Sequence, residues 1–159
     1  KEVSIEFNSL SKTYNMAGWR LGMACGLADA ISALHTLKTN VDSSQFQAIQ
    51  MAGIQALTDD QTWLIERNNI YKQRRDIVLH GLKNTNLTAR TPQGAMYVWV
   101  KTNNNVKTST FTNSMLEEIG VSVTPGSFFG EYGEGYFRIS LGTDNHRIEE
   151  AMQRIHDWL

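Results

Sequence analysis

The chain has 159 residues, with 15 Lys and Arg against 16 Asp and Glu and a formal charge of -1, a balance that favours neither nucleic acid nor an anionic lipid surface. Although 41% of the residues are hydrophobic, no apolar run approaches the ~18 residues of a membrane span, and the N-terminus alternates charged with apolar side chains instead of forming a signal-peptide core. Cys25 has no second cysteine to pair with, and His35, His80, His146 and His156 show no zinc spacing, so the expectation is a cytosolic globular protein without metal chemistry.

Val3, Ile5 and Phe7 alternate with Ser4, Glu6 and Asn8, which predicts a half-buried strand that ends in the polar cluster 8–12. Trp19, Leu21, Met23 and Cys25 form a second alternation. Its opposite side carries Arg20, Gly22, Ala24 and Gly26, which apart from the arginine are small enough for another backbone to approach, so a strand packed on both sides is expected, with Cys25 in the core. Ile31, Leu34 and Leu37 predict one helix, and Phe46, Ile49, Ile54 and Leu57 another, with Ser43 or Ser44 as its N-cap. Asp59 or Asp60 then caps a long helix running to about Leu82, with Trp63, Ile70, Ile77 and Val78 inward and Arg67, Lys72, Arg74 and Arg75 facing water.

The remainder reads differently. A turn at 92–94 leads to a buried strand over 95–100, then to a helix with Phe111, Met115, Leu116 and Ile119 stopped by Gly120. A short strand over 121–124, a glycine-rich loop over 126–135 and a strand over 136–141 follow. A last helix starting at Asp144 or Asn145 buries Ile148, Met152, Ile155 and Leu159. The loop glycines predict mobility or tight turns, and its aromatics either close over a ligand or pack. The expected plan is α/β: residues 1–58 as the end of a larger sheet domain, then residues 59–159 as a linking helix and a compact α+β domain. Two initial strands cannot complete a sheet by themselves, so further strands are expected upstream.

The segment from Ser9 to Gly22 carries the chemistry. Lys12 stands at a strand's end, with Ser9 and Ser11 just before it and Arg20 after it. A lysine condenses with a carbonyl only as the neutral amine, which burial and a nearby guanidinium both favour. Ser9, Ser11 and Arg20 offer neutral donors and a planar fork suited to a phosphate dianion. Read alone, the same residues also fit a plain surface turn, with Lys12 solvated and Arg20 paired to a carboxylate. Arg138, between Phe137 and Ile139, is equally open: it either binds an anion or faces the wetter side of its sheet.

The longer string Ser9-Leu10-Ser11-Lys12-Thr13-Tyr14-Asn15-Met16-Ala17-Gly18-Trp19-Arg20-Leu21-Gly22 resembles the signature of class I/II aminotransferases, fold type I enzymes dependent on pyridoxal 5'-phosphate (PLP). Residues 38–50 are similar to that family's helix-joining segment, and residues 135–141 to its carboxylate-binding strand. The subfamily most resembled is the LL-diaminopimelate aminotransferases with their aspartate aminotransferase-like relatives. The resemblance implies the C-terminal part of such an enzyme. Lys12 then holds PLP as a Schiff base and moves the substrate's proton; Ser9, Arg20 and, less firmly fixed by the motif, Ser11 hold its phosphate; Arg138 grips the substrate alpha-carboxylate. Tyr14 either approaches that phosphate or fills space.

The same resemblance puts the carboxylate that protonates the PLP ring, the ring-stacking residue and the rest of the phosphate cup upstream of the lysine strand. It implies a C-terminal fragment with little or no transaminase activity of its own, an intact homodimer, and amino-acid and 2-oxo-acid substrates. A β-lyase or decarboxylase on the same scaffold, and a non-catalytic effector or assembly domain, are the rival readings.

Overall fold

The computed structural model describes residues 2–102 and 106–159. They divide into two compact units, Lys1–Leu64 and Ile65–Leu159, with the division inside one helix. Among the described residues no helix is long and apolar enough to cross a membrane.

The first unit opens with strand β1 (Ile5–Ser9), a four-residue helix α1 (Leu10–Thr13), a 3-10 turn at Ala17–Trp19 and strand β2 (Gly22–Gly26). β1 and β2 form an antiparallel ribbon with Ile5 opposite Gly26 and Ser9 opposite Gly22. Helices α2 (Ala28–Val41) and α3 (Gln47–Thr58) follow, then the start of α4 (Thr62–Gly81). Leu10 and Met16 are buried, and Gly53 of α3 lies against Leu21 and Leu10.

Several expectations change in this unit. The second strand begins at Gly22 because Arg20 adopts a left-handed backbone (φ 53°), which ends the extended run that Trp19 and Leu21 suggested. The ribbon is not packed on both sides among the described residues: Met23 and Cys25 are exposed and Phe7 is 71% exposed. Cys25 is therefore not a core residue of this unit. α3 starts at Gln47 with Phe46 as its N-cap and no side-chain cap, while Ser43 and Ser44 precede it without helical structure. Asp60 does cap α4, accepting from Thr62 N at 3.0 Å and Thr62 Oγ1 at 2.6 Å.

The second unit contains the rest of α4, β3 (Thr88–Ala89), β4 (Tyr97–Lys101), α5 (Thr108–Ile119), β5 (Thr124–Pro125), β6 (Tyr136–Ser140) and α6 (Asn145–Trp158). Its strands form one antiparallel sheet in the order β3-β4-β6-β5. Alternation sends Val98, Val100, Phe137 and Ile139 to one face, where they join Val78 of α4, Phe111 and Met115 of α5, and Ile148, Met152 and Ile155 of α6 in a buried core. α5 ends as expected at Gly120, which takes a left-handed backbone (φ 67°). Leu116, Leu159 and Ile70 lie outside the core and are exposed.

The arginines of α4 do not all face water. Arg74 is half-buried and donates to Asn145 Oδ1, Leu141 O and Asp144 Oδ1, and Arg75 donates to Pro92 O and Asp76 Oδ1. Apart from Asp76, the next residue of the same helix, these acceptors come from distant segments, so nothing within the helix announces them. Arg67 is half-buried as well, and only Lys72 is exposed, paired with Asp76 at 3.2 Å.

Candidate functional site

Around Lys12, local rules build the end of the ribbon. Ser9 has an extended backbone (φ -128°, ψ 138°) and caps α1, its Oγ accepting from Ser11 N at 3.2 Å and donating to Ser11 Oγ at 2.9 Å. Leu10, 2% exposed, anchors the turn, and its N–H donates to Leu21 O at 3.1 Å. With Ser9 paired to Gly22, this bond closes residues 9–22 into a loop that begins and ends at one place. Lys12 stands exposed on α1, and the backbone carrying Arg20 adjoins the Leu10–Leu21 contact. The Arg20 guanidinium folds back to donate to Ala17 O at 2.9 Å through Nη1.

An arginine in the left-handed region is strained, because its Cβ crowds the following carbonyl. Such strain is retained where surrounding structure fixes a residue for a purpose. The donor set fits one ligand chemistry well. No Asp or Glu occurs between Glu6 and Asp29, so two hydroxyls, an amine and a guanidinium share a loop that contains no carboxylate of its own. That set suits a phosphate dianion carried by a molecule with a carbonyl for the amine, as PLP is. Tyr14 is half-buried, its ring centroid 6.3 Å from that of Trp63.

Arg138 lies in the second unit, at the centre of β6, opposite Trp99 of β4 and Thr124 of β5. Its neighbours Phe137 and Ile139 are buried in the core, so Arg138 points to the other face, which is part-exposed and carries aromatic side chains. Its guanidinium carbon sits 4.0 Å from the centre of the Tyr97 ring and 4.4 Å from that of Phe129, and Nε is buried with no hydrogen-bond partner. Trp99 extends the aromatic surface, 5.3 Å from Phe129 and 6.5 Å from Tyr136 between ring centroids. A cation against aromatic faces, one of its N–H groups unsatisfied, is a ready receiver for an anion.

The glycine-rich loop is a set of tight turns, with 3-10 segments at Gly126–Phe129 and Glu131–Gly133. Of its aromatics Phe129 meets the Trp99 ring while staying half exposed, and Phe128 and Tyr132 are more exposed still. Sequence reasoning missed Tyr97 and Glu134 and left the role of the loop aromatics, Phe129 among them, open. The alternation of Tyr97 and Trp99 with Val98 and Val100 was the available signal for the first. Glu134 reaches across to α5, where its Oε1 accepts from Thr108 N at 2.7 Å and Thr108 Oγ1 at 3.0 Å. These two bonds, the backbone N–H first, hold its carboxyl below its ordinary pKa. Among the described residues no group of three His, Cys, Asp or Glu is placed to hold a metal ion.

Comparison with known proteins covers both units. The family model for aminotransferase class I and II matches residues 1–155. An LL-diaminopimelate aminotransferase of Maridesulfovibrio salexigens is 51% identical over 155 residues, covering 98% of this chain and 40% of the relative. The same-named protein of Moorella thermoacetica is 48% identical over 155 residues, with the same coverage. Among solved structures, a probable N-succinyldiaminopimelate aminotransferase from Thermus thermophilus superposes with a TM-score of 0.92 at 32% identity, over 98% of this chain and 42% of that one. An aromatic aminotransferase from Pyrococcus horikoshii gives a TM-score of 0.90 at 35% identity, over 98% and 42%. The chain thus spans about 40% of the length of the curated relatives it matches. With the expected signature on the ribbon end and the matched strand carrying Arg138, the chain belongs to the class I and II aminotransferase family, whose members are PLP enzymes.

Proposed function

We propose that the full-length protein is a PLP-dependent aminotransferase that exchanges an amino group between an amino acid and a 2-oxo acid, with LL-diaminopimelate or aspartate as donor. The names of the relatives at about half identity support the diaminopimelate reading. Residues 1–58 form the end of the cofactor-binding domain and residues 59–159 the linking helix and small domain. The full-length protein works as a homodimer. Exposed Phe7, Phe46, Met51, Ile54 and Leu57 in the first unit favour further protein covering these side chains.

The observation that carries the proposal is the pairing of Ser9 with Gly22, which places Ser9, Ser11, Lys12 and Arg20 in one closed loop. Ser9 and Ser11 donate hydroxyl hydrogen bonds to the cofactor phosphate, and Arg20 adds a charged fork that neutralises it. Lys12 holds the cofactor covalently through Nζ. PLP, when bound, supplies an electron sink for the charge that develops at the substrate's alpha carbon. Lys12 Nζ would also be the base that takes the proton from that carbon. Arg138 holds the alpha-carboxylate through two parallel N–H bonds and so fixes the direction of the C–H bond to be broken.

Borohydride reduction of the full-length PLP-loaded protein, followed by peptide mapping, tests this assignment. A pyridoxyl adduct on Lys12 is expected. An adduct on another lysine, or none in a protein that shows the cofactor's absorbance, refutes it.

A further inference from the structure

Phe129 belongs to a loop whose shape is set from three sides. At its neck, Gly126 and Gly133 pass so closely that a side chain on either would collide with the other's backbone. At its end, the Gly135 peptide is held at both poles: its N–H donates to Thr108 Oγ1 at 2.8 Å, and its carbonyl accepts from Thr102 N at 2.9 Å and Thr102 Oγ1 at 3.2 Å. Thr108 is 0% exposed and is itself bound by Glu134. Glu134 thereby replaces the side-chain cap that Lys107 does not provide to α5. At its middle, Phe129 meets Trp99 edge-on and lies 4.4 Å from the Arg138 guanidinium carbon, yet is itself 49% exposed.

A phenylalanine half in water with its ring against a cation is not ordinary core filling. A guanidinium has five donors and free rotation about its last bonds, and two parallel bonds to a carboxylate require one orientation of its plane. Main-chain pairing of β6 fixes the Arg138 backbone but not that plane. Among the described residues, the rings of Tyr97 and Phe129 lie against the guanidinium.

We propose that Phe129, presented by the Glu134–Thr108 cap, is a positioning residue that orients the Arg138 guanidinium for a substrate carboxylate. The proposal rests on the reading of Arg138 as the carboxylate ligand. Tyr97 supplies the fixed aromatic neighbour, from a strand, and Phe129 the one carried by a loop. Removing the Phe129 ring leaves the charge in place but lets its plane turn, so the carboxylate is gripped less firmly and the C–H bond that this grip orients is held less well.

The test uses the full-length holoenzyme, an amino-acid substrate and the amide of the same amino acid, which lacks the carboxylate. Phe129→Leu keeps the apolar bulk without the aromatic face, and Phe129→Tyr restores the face. For Phe129→Leu, kcat/KM for the amino acid falls about tenfold, the scale of a partly desolvated cation–π contact. kcat/KM for the amide is unaltered, and Phe129→Tyr returns to the parent value. Equal losses towards acid and amide, or no loss towards either, overturn the proposal. Arg138→Ala separates it from the reading beneath it. If that variant abolishes the preference for acid over amide while Phe129→Leu keeps it, the positioning role fails and Arg138 stands; if Arg138→Ala keeps the preference, the carboxylate reading falls and this proposal with it.

Discussion

Replacing Gly22 by alanine tests the ribbon end most sharply, because the geometry names both the obstacle and a control. A Cβ at Gly22 would lie 2.8 Å from Asn8 O and 3.7 Å from Ser9 Cα. Both atoms belong to the backbone of β1 and cannot rotate away. A comfortable contact needs about 3.3 Å or more, so the strands must part by roughly 0.5 Å where Ser9 pairs with Gly22. Overpacking of this kind costs about 1–3 kcal/mol of stability. The same displacement stretches a hydroxyl bond to phosphate from about 2.9 Å to about 3.4 Å, beyond the useful range. Losing one bond to a charged group costs about 1.5 kcal/mol, which is about tenfold in affinity. Titration of the full-length apoprotein with PLP, followed by absorbance, should show this weakening for Gly22→Ala. Gly18→Ala, where a Cβ meets nothing within 4 Å, should bind as the parent does. A Gly22→Ala protein with parental affinity, or a Gly18→Ala protein equally weakened, would refute the reasoning.

Two further outcomes follow from the second unit. Because the Glu134 carboxyl titrates below its ordinary value of 4.5 in the folded chain, its cap is fully present above that value and is lost as pH falls through the lowered folded pKa. At neutral pH the amides of Thr108 and Gly135 should therefore exchange faster in Glu134→Gln than in the parent, with the gap closing in acid; a gap independent of pH would contradict the cap. Phe137 is fully buried, 5.9 Å from Phe111 between ring centroids, so Phe137→Ala should lower the opening free energy of β4 and β6, read by native-state hydrogen exchange, by about 3–5 kcal/mol. A loss below about 1 kcal/mol would mean that this core is not as packed as described.

Elements whose signals lie within one or two turns were legible from the residues. The stripe Ile148, Met152 and Ile155 marks the buried side of α6, Gly120 ends α5, and Asp60 caps α4. The alternation of Tyr136, Arg138 and Ser140 against Phe137, Ile139 and Leu141 correctly divides the two sides of β6. It could not say that the second side is aromatic, since Tyr97 and Phe129 arrive from other segments. Ser43 and Ser44 have the chemistry of N-caps, yet the chain enters α3 at Phe46 without them. For the candidate site, Ser9, Ser11, Lys12 and Arg20 were named from their string, but not the left-handed turn at Arg20 that cuts the expected strand short.

The sequence by itself determined which residues carry charge and chemistry and which faces are apolar, because these depend on side-chain type and on periods of two or 3.6 residues. Tertiary structure alone decided what each polar group meets. Arg74 finds Asn145 seventy-one positions away, and Thr108 finds Glu134 twenty-six away. Such partners are chosen by how strands and helices stack, since a buried donor must be satisfied by whichever acceptor the packing brings near. Arg138 illustrates both: its charge is written in the chain, while the rings that hold it exist only once β4, β6 and the loop between β5 and β6 have come together.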